Sequence, residues 1–204
     1  MAIVEFVYPK LKPEVAKKAE EEVIPVAINE FKNVGVLNGL RGWVETEDGR
    51  DVSADMREVL VLQWPSTSTF HEFVKSDGYF KFQSLLKPLA TGPPTLKLYD
   101  ANDVSQFFSS EPVLEVLEIQ PKGDDAEGAL QKIQAIAEKI TDPKVVAGTT
   151  SNLDKKEFVI ARLFEDKSEL QTKAAGATRR ELLASISEVA EVTQLVAKVV
   201  RIPF

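Results

Sequence analysis

The feature that most constrains this chain is that it contains itself twice. Displaced by 100 positions, Trp64 falls on Phe164, Ser66 on Asp166, Phe70 on Leu170 and Leu86 on Ile186. The apolar run Val59–Leu62 meets Val159–Leu163, and Val196–Val200 meets Leu96–Asp100. Near the start, Val7-Tyr8-Pro9-Lys10 matches Ile119-Gln120-Pro121-Lys122 at an offset of 112, which gives the first copy about a dozen extra residues before its third strand. Solenoid repeats run ~20–50 residues, so a period of this length is domain-sized. Two copies of one small fold in one chain amount to a fused dimer.

Each copy carries the same order of elements. In the first, Ala2–Tyr8 is a β-rich run closed by Pro9, and Pro13–Phe31 is helical, with Pro25 removing an amide donor and forcing a kink or break. Asn33–Gly42 is expected as a strand whose glycines mark a bulge or close backbone approach. Asp48-Gly49 signals a hairpin within the charged stretch Trp43–Glu58. Glu58–Trp64 is a strand, Thr67–Leu89 a helical region weakened at Gly78, and Thr95–Tyr99 a final strand.

In the second copy, Pro112–Gln120, Lys144–Ser151, Glu157–Leu163 and Glu191–Arg201 read as strands. Capping-box pairs, Asp124 with Glu127 and Asp166 with Glu169, open its two helices, the second ending near Val189. The boundaries are therefore a first repeat over 1–100, a linker over 101–111, and a second repeat over 112–204. Phe107-Phe108 are expected to tack the linker onto a domain surface.

The order β-α-β-β-α-β in about 90–100 residues is the ferredoxin-like split βαβ plan, an α+β fold. Two helices cover one sheet face and leave the other bare. On the first strand Ile3, Glu5 and Val7 share one face, and Val4, Phe6 and Tyr8 share the other. An apolar bare face needs a partner. Two tandem repeats whose antiparallel sheets pack face to face supply it, as an α/β barrel formed within one chain.

Composition removes several function classes. A net charge of −7 argues against nucleic acid as a partner. The absence of cysteine removes thiol nucleophiles and Cys-based metal sites. The N-terminus has no signal-peptide pattern and no apolar run is long enough for a membrane span, so a cytoplasmic setting is expected. There is no phosphate-binding glycine loop, no histidine-rich metal set and no Gly-x-Ser-x-Gly elbow, so no metal or cofactor is expected.

The stretch Val61-Leu62-Gln63-Trp64-Pro65-Ser66, followed by Phe70, Ser76, Tyr79-Phe80 and Leu85-Leu86-Lys87-Pro88-Leu89, resembles the dimeric α/β-barrel superfamily. It is most similar to the antibiotic biosynthesis monooxygenase-like branch, in the tandem two-repeat form found in fungi. Haem-degrading members of that superfamily use a first-strand Asn, a Trp ending the third strand and a second-helix His. Here Trp64 alone matches, Ala2–Tyr8 has no Asn, and His71 stands one residue after the position many relatives give to His. The resemblance implies a cofactor-independent enzyme that oxidises or cyclises a hydrophobic, phenolic or polyketide-like substrate of secondary metabolism. The alternative is a non-catalytic barrel that binds a small ligand or a partner protein.

The candidate site follows from residue chemistry. His71 is the one side chain suited to proton transfer near neutrality, although at the edge of its helix's apolar stripe it also reads as a boundary histidine. Trp64, Tyr79, Phe80 and Trp43 would line an aromatic cavity, and Arg41 would steady an enolate or phenolate. Trp64 reads first as a core anchor between sheet and helix, a role compatible with ligand contact. All Trp, Tyr and His of the chain lie in the first copy, where Trp64, His71, Tyr79 and Phe80 stand opposite Phe164, Gln171, Arg179 and Arg180. The first copy is therefore expected to hold the cavity and the second to serve as scaffold. Internal pairing of the sheets predicts a monomeric pseudo-dimer, with further dimerisation left open.

Overall fold

A computed structural model describes residues 2–140 and 142–204. The first repeat comprises β1 (Ala2–Tyr8), α1 (Ala16–Lys18), α2 (Ile24–Asn33), β2 (Asn38–Glu47), β3 (Arg50–Asp51), β4 (Glu58–Trp64), α3 (Thr67–Phe73), α4 (Asp77–Leu86) and β5 (Thr95–Ala101). The second comprises β6 (Val113–Pro121), α5 (Ala126–Ala137), β7 (Val145–Thr150), β8 (Phe158–Phe164), α6 (Lys167–Ala174), α7 (Ala177–Ser187) and β9 (Ala190–Arg201). Each repeat forms an antiparallel four-stranded sheet, β2-β4-β1-β5 and β7-β8-β6-β9. Pairings β5–β7 and β2–β9 join the two into a closed eight-stranded barrel, with the short β3 flanking β2. Closure leaves neither sheet with a bare apolar face or an open edge along these strands.

Alternation along the strands sorts side chains into two environments. Val4, Phe6, Leu40, Val61, Leu114 and Val159 point into the barrel and pack as one core drawn from both repeats. Ile3, Val7, Leu60 and Leu62 point outward to the helices of the first repeat, and Leu117, Ile119 and Ile160 do so in the second. Phe107 and Phe108 enter the barrel core rather than lying on a domain surface, so the linker supplies part of the shared interior.

The seams explain two of the glycines. Gly42 of β2 pairs with Val199 of β9, and a Cβ there would overlap the Lys198 carbonyl oxygen. Gly148 of β7 pairs with Ala101 of β5, and its Cβ would overlap the Asp100 carbonyl oxygen. These are one position seen twice, since Gly42 faces Val59 and Gly148 faces Val159 on the neighbouring strands.

Sheet register also corrects the expected offset at the first strand. Glu5 pairs with Leu62, and Glu115 with Arg162. The first strands are therefore offset by 110 where the third strands are offset by 100, so the first copy carries ten extra residues before its third strand rather than twelve. The match of Pro9 to Pro121 is out of register by two.

Other boundaries moved for local reasons. The second strand starts at Asn38 rather than Asn33, because α2 runs to Asn33 and turns at Gly35 with φ +80°. Ahead of Pro25 the helix widens into a π-helical turn, Ala19–Val23, in which the Ile24 N–H donates to the Ala19 carbonyl. That turn lets the helix pass the proline without a break. The helical region after β4 divides at Ser76, which caps α4 by accepting from the Tyr79 N–H, and not at Gly78. Asp125 rather than Asp124 caps α5. The Asp48-Gly49 hairpin is present, with positive φ at both residues as a type I′ turn requires.

Candidate functional site

The two repeats place a glutamate at the same point, on the helix-facing side of the first strand. Glu5 is 3% exposed, and its Oε2 accepts a hydrogen bond of 2.8 Å from the Trp64 indole N–H. No cation pairs with it among the described residues. Burial pushes the Glu5 carboxyl up to about 7, against the smaller pull of the Trp64 bond. Trp64 is itself buried, with Phe31, Phe70 and Phe73 around it at ring-centroid distances of 6.4, 5.5 and 5.3 Å.

Beyond Glu5 lies a narrow cavity of about 50 Å³ between sheet and helices, walled by Phe31, Phe73, Tyr79, Phe82 and a second buried carboxyl, Glu58. Burial raises Glu58 to about 7 although Arg41 lies 3.5 Å away and pulls it down. Arg41 is also bonded to Glu20, which the π-helical turn presents. Burial, and then the nearby charge of Glu5, raise the Tyr79 hydroxyl.

In the second repeat Glu115 is 2% exposed and paired through one oxygen. Arg179, which stands where the first repeat has Tyr79, donates through Nη2 to Glu115 Oε1, and Gln194 Nε2 donates to the same oxygen. The space beyond is a cleft of about 660 Å³. Its apolar lining is Leu117, Ile136, Ile140, Ile160 and Leu182, and Lys139, Arg162, Lys173 and Arg179 stand on its walls. The difference in volume follows from the register. Phe73, Tyr79 and Phe82 fill the first site, where the second has Lys173, Arg179 and Leu182.

Of the residues expected at a site, Arg41, Trp64 and Tyr79 gather around the first cavity, Arg41 and Trp64 through their carboxyl partners. His71 does not join them. It is exposed on α3, touches Phe70, and lines neither cavity, because the buried stripe of that helix is carried by Phe70 and Phe73. Phe80 is 53% exposed on the outer side of α4. Trp43 packs against the cluster of Leu11, Ala16, Val23 and Leu86 and does not itself line the cavity. The expectation that the first copy holds the cavity and the second only supports it meets the opposite volumes. Glu5, Glu58 and Glu115 were missed, and the signal was an acid on an otherwise apolar strand face. Among the described residues no group of three His, Cys, Asp or Glu is placed to hold a metal, and no helix is long and apolar enough to cross a membrane.

No protein-family model matches the chain, and no curated protein matches it in sequence. Solved structures do match in fold. A candidate monooxygenase from Fusobacterium nucleatum superposes with a TM-score of 0.68 at 12% identity, covering 98% of this chain and 92% of its own. An anthrone oxidase-like protein gives 0.63 at 10% identity, covering 98% and 91%. A candidate monooxygenase from Lactobacillus acidophilus gives 0.61 at 12% identity, covering 99% and 94%. The chain thus shares the tandem two-repeat α/β-barrel fold of these monooxygenase-like structures. The fungal association has no support among these neighbours.

Proposed function

We propose that this protein is a small-molecule enzyme of the monooxygenase-like type, and that a hydrophobic hydroxyarene or related enol binds in the cleft of the second repeat. The observation that carries the reading is the pair of equivalent sites, one filled by aromatic rings and the other open at about 660 Å³, within the range of ligand pockets. The cleft joins an apolar lining to fixed cations. Such a site lowers the pKa of a bound phenol or enol by stabilising its anion, and electron-rich anions of this kind react with oxygen directly.

Anthrone is a suitable test substrate because one structural neighbour is described as anthrone oxidase-like. In that reaction the substrate CH₂ becomes C=O with one atom of O₂, and the other atom leaves as water with both hydrogens, four electrons passing from carbon to oxygen. Oxygen uptake should match anthraquinone formation one to one. Leu182→Phe, which restores the ring that the first repeat carries at Phe82, should abolish it. Uptake absent from the wild type across a panel of hydroxyarenes, or unchanged in the variant, defeats the reading.

A second reading keeps the site in the first repeat, with Glu5 as the proton acceptor in place of His71. A wholly buried carboxyl with no cation partner among the described residues, held by Trp64 and raised to about 7, favours it. A cavity of about 50 Å³ holds a few waters, so a ring-sized substrate would have to displace Tyr79 or Phe82. Glu5→Gln abolishing turnover while Leu182→Phe leaves it intact would select this reading.

A further inference from the structure

We infer that the cleft of the second repeat takes its ligand as an anion, specifically an amphipathic organic acid whose apolar body lies on Leu117, Ile160 and Leu182 and whose acidic group meets the cations of the wall. The inference rests on the reading of that cleft as the substrate site and names the substrate's charge.

The argument comes from comparing equivalent walls. Where the first repeat has Leu62, Phe73 and Tyr79, the second has Arg162, Lys173 and Arg179. Three apolar or neutral positions become cations, in a chain whose net charge is −7. Each of the three pairs with one carboxylate, and those single contacts leave N–H donors unused. Glu115 takes one nitrogen of Arg179, Asp142 lies 3.5 Å from Arg162, and Glu169, outside the cleft lining, pairs with Lys173 at 2.8 Å. Lys139 makes no ion pair among the described residues, and Glu181 is the one further acid on the wall.

A guanidinium carries five N–H donors, so one carboxylate contact leaves donors over. The Nε of Arg179 is buried without a hydrogen-bond partner. Arg162 is steadied over the Phe164 ring, 5.8 Å from its centroid, which keeps its fork in place. A partly desolvated anion in an apolar cleft is costly unless cations of this kind meet it, and charge-assisted hydrogen bonds to arginine are the strong ones.

Two fluorescent probes with the same aromatic body test the point. 8-Anilinonaphthalene-1-sulfonate carries an acid and N-phenyl-1-naphthylamine does not. With the full chain, the sulfonate should bind saturably and more tightly than the amine. The double variant Lys139→Gln/Arg162→Gln should weaken sulfonate binding about tenfold or more and leave the amine unchanged. Lys139→Gln alone, in the exposed turn after α5, serves if the double variant melts at a lowered temperature, and should still weaken the sulfonate selectively.

Equal affinity for both probes, or sulfonate binding indifferent to the cation variants, overturns the anion inference and leaves the small-molecule reading standing. Failure of both probes to bind, or binding indifferent to Leu182→Phe, overturns the cleft reading itself.

Discussion

The two first-strand glutamates should respond differently to replacement by glutamine, Glu5→Gln gaining on the wild type as pH rises and Glu115→Gln losing stability. Glu5 is fully buried with a carboxyl raised from 4.5 to about 7. Between those values the folded chain holds a proton that the unfolded chain has released, so stability falls as pH rises through this window, and the penalty is complete above about 7. At 1.36 kcal/mol per pH unit, ionised Glu5 costs the fold about 3 kcal/mol. Glutamine has no charge to bury and can still accept from the Trp64 N–H. Its amide hydrogens bring a desolvation cost of about 1–3 kcal/mol, but that cost does not change with pH.

The stability of Glu5→Gln relative to the wild type should therefore rise by about 3 kcal/mol between pH 4.5 and pH 8, which is roughly 6–12 °C in melting temperature for a chain of this size. Glu115→Gln keeps an amide oxygen for Arg179 but removes its counter-charge, leaving a buried guanidinium without a charged partner. It should lose about 3–5 kcal/mol. Urea unfolding followed by circular dichroism at several pH values measures both. A Glu5→Gln difference that stays flat with pH, or a Glu115→Gln variant as stable as the wild type, would refute the assignment of one carboxyl as unpaired and its counterpart as paired.

Three further outcomes are expected. Gly42→Ala and Gly148→Ala each drive a methyl into a carbonyl across a barrel seam, and each should lose on the order of 3 kcal/mol or more in urea unfolding. Phe107→Ala empties part of the shared interior and should cost about 3–5 kcal/mol, where a surface tether would cost little. His71→Ala alters an exposed side chain and should change stability by less than about 0.5 kcal/mol and leave turnover of any identified substrate unaltered.

The fold was legible because it rests on patterns that sequence carries openly. Ala2–Tyr8 and Glu58–Trp64 coincide with the observed strands, and the alternation along the first strand separates barrel-facing Val4 and Phe6 from helix-facing Ile3 and Val7. The site was less legible for a reason rooted in the same alternation. Matching Pro9 to Pro121 displaces the first strands by two residues, and a displacement of two preserves which face every side chain occupies. The face pattern therefore gave no warning, and Glu5 stood opposite Leu117 instead of Glu115. Cross-strand pairing was needed to restore the match, because it ties each first strand to a third strand whose offset Trp64 and Phe164 anchor independently. His71 failed differently. Its residue type suited proton transfer, but orientation depends on which neighbours the helix buries, and Phe70 and Phe73 claimed the inner face.

Fusion of the repeats also explains how one site could empty while the other filled. The barrel interior draws side chains from both halves, so a change there is felt by the whole chain, and the seam glycines must both persist for closure. The helix-facing layers are local. Phe31, Leu62, Trp64 and Phe73 pack within the first repeat, joined by Ile202 from the chain's end, whereas Ile119, Ile133, Phe158 and Ile186 pack within the second. Exchanging rings for cations at Lys173 and Arg179 thus leaves the barrel and the first repeat's packing untouched. In a dimer of identical chains every such exchange would occur on both sides at once, opening both sites or neither. A duplicated chain escapes that constraint, and the two environments of Glu5 and Glu115 are its physical result.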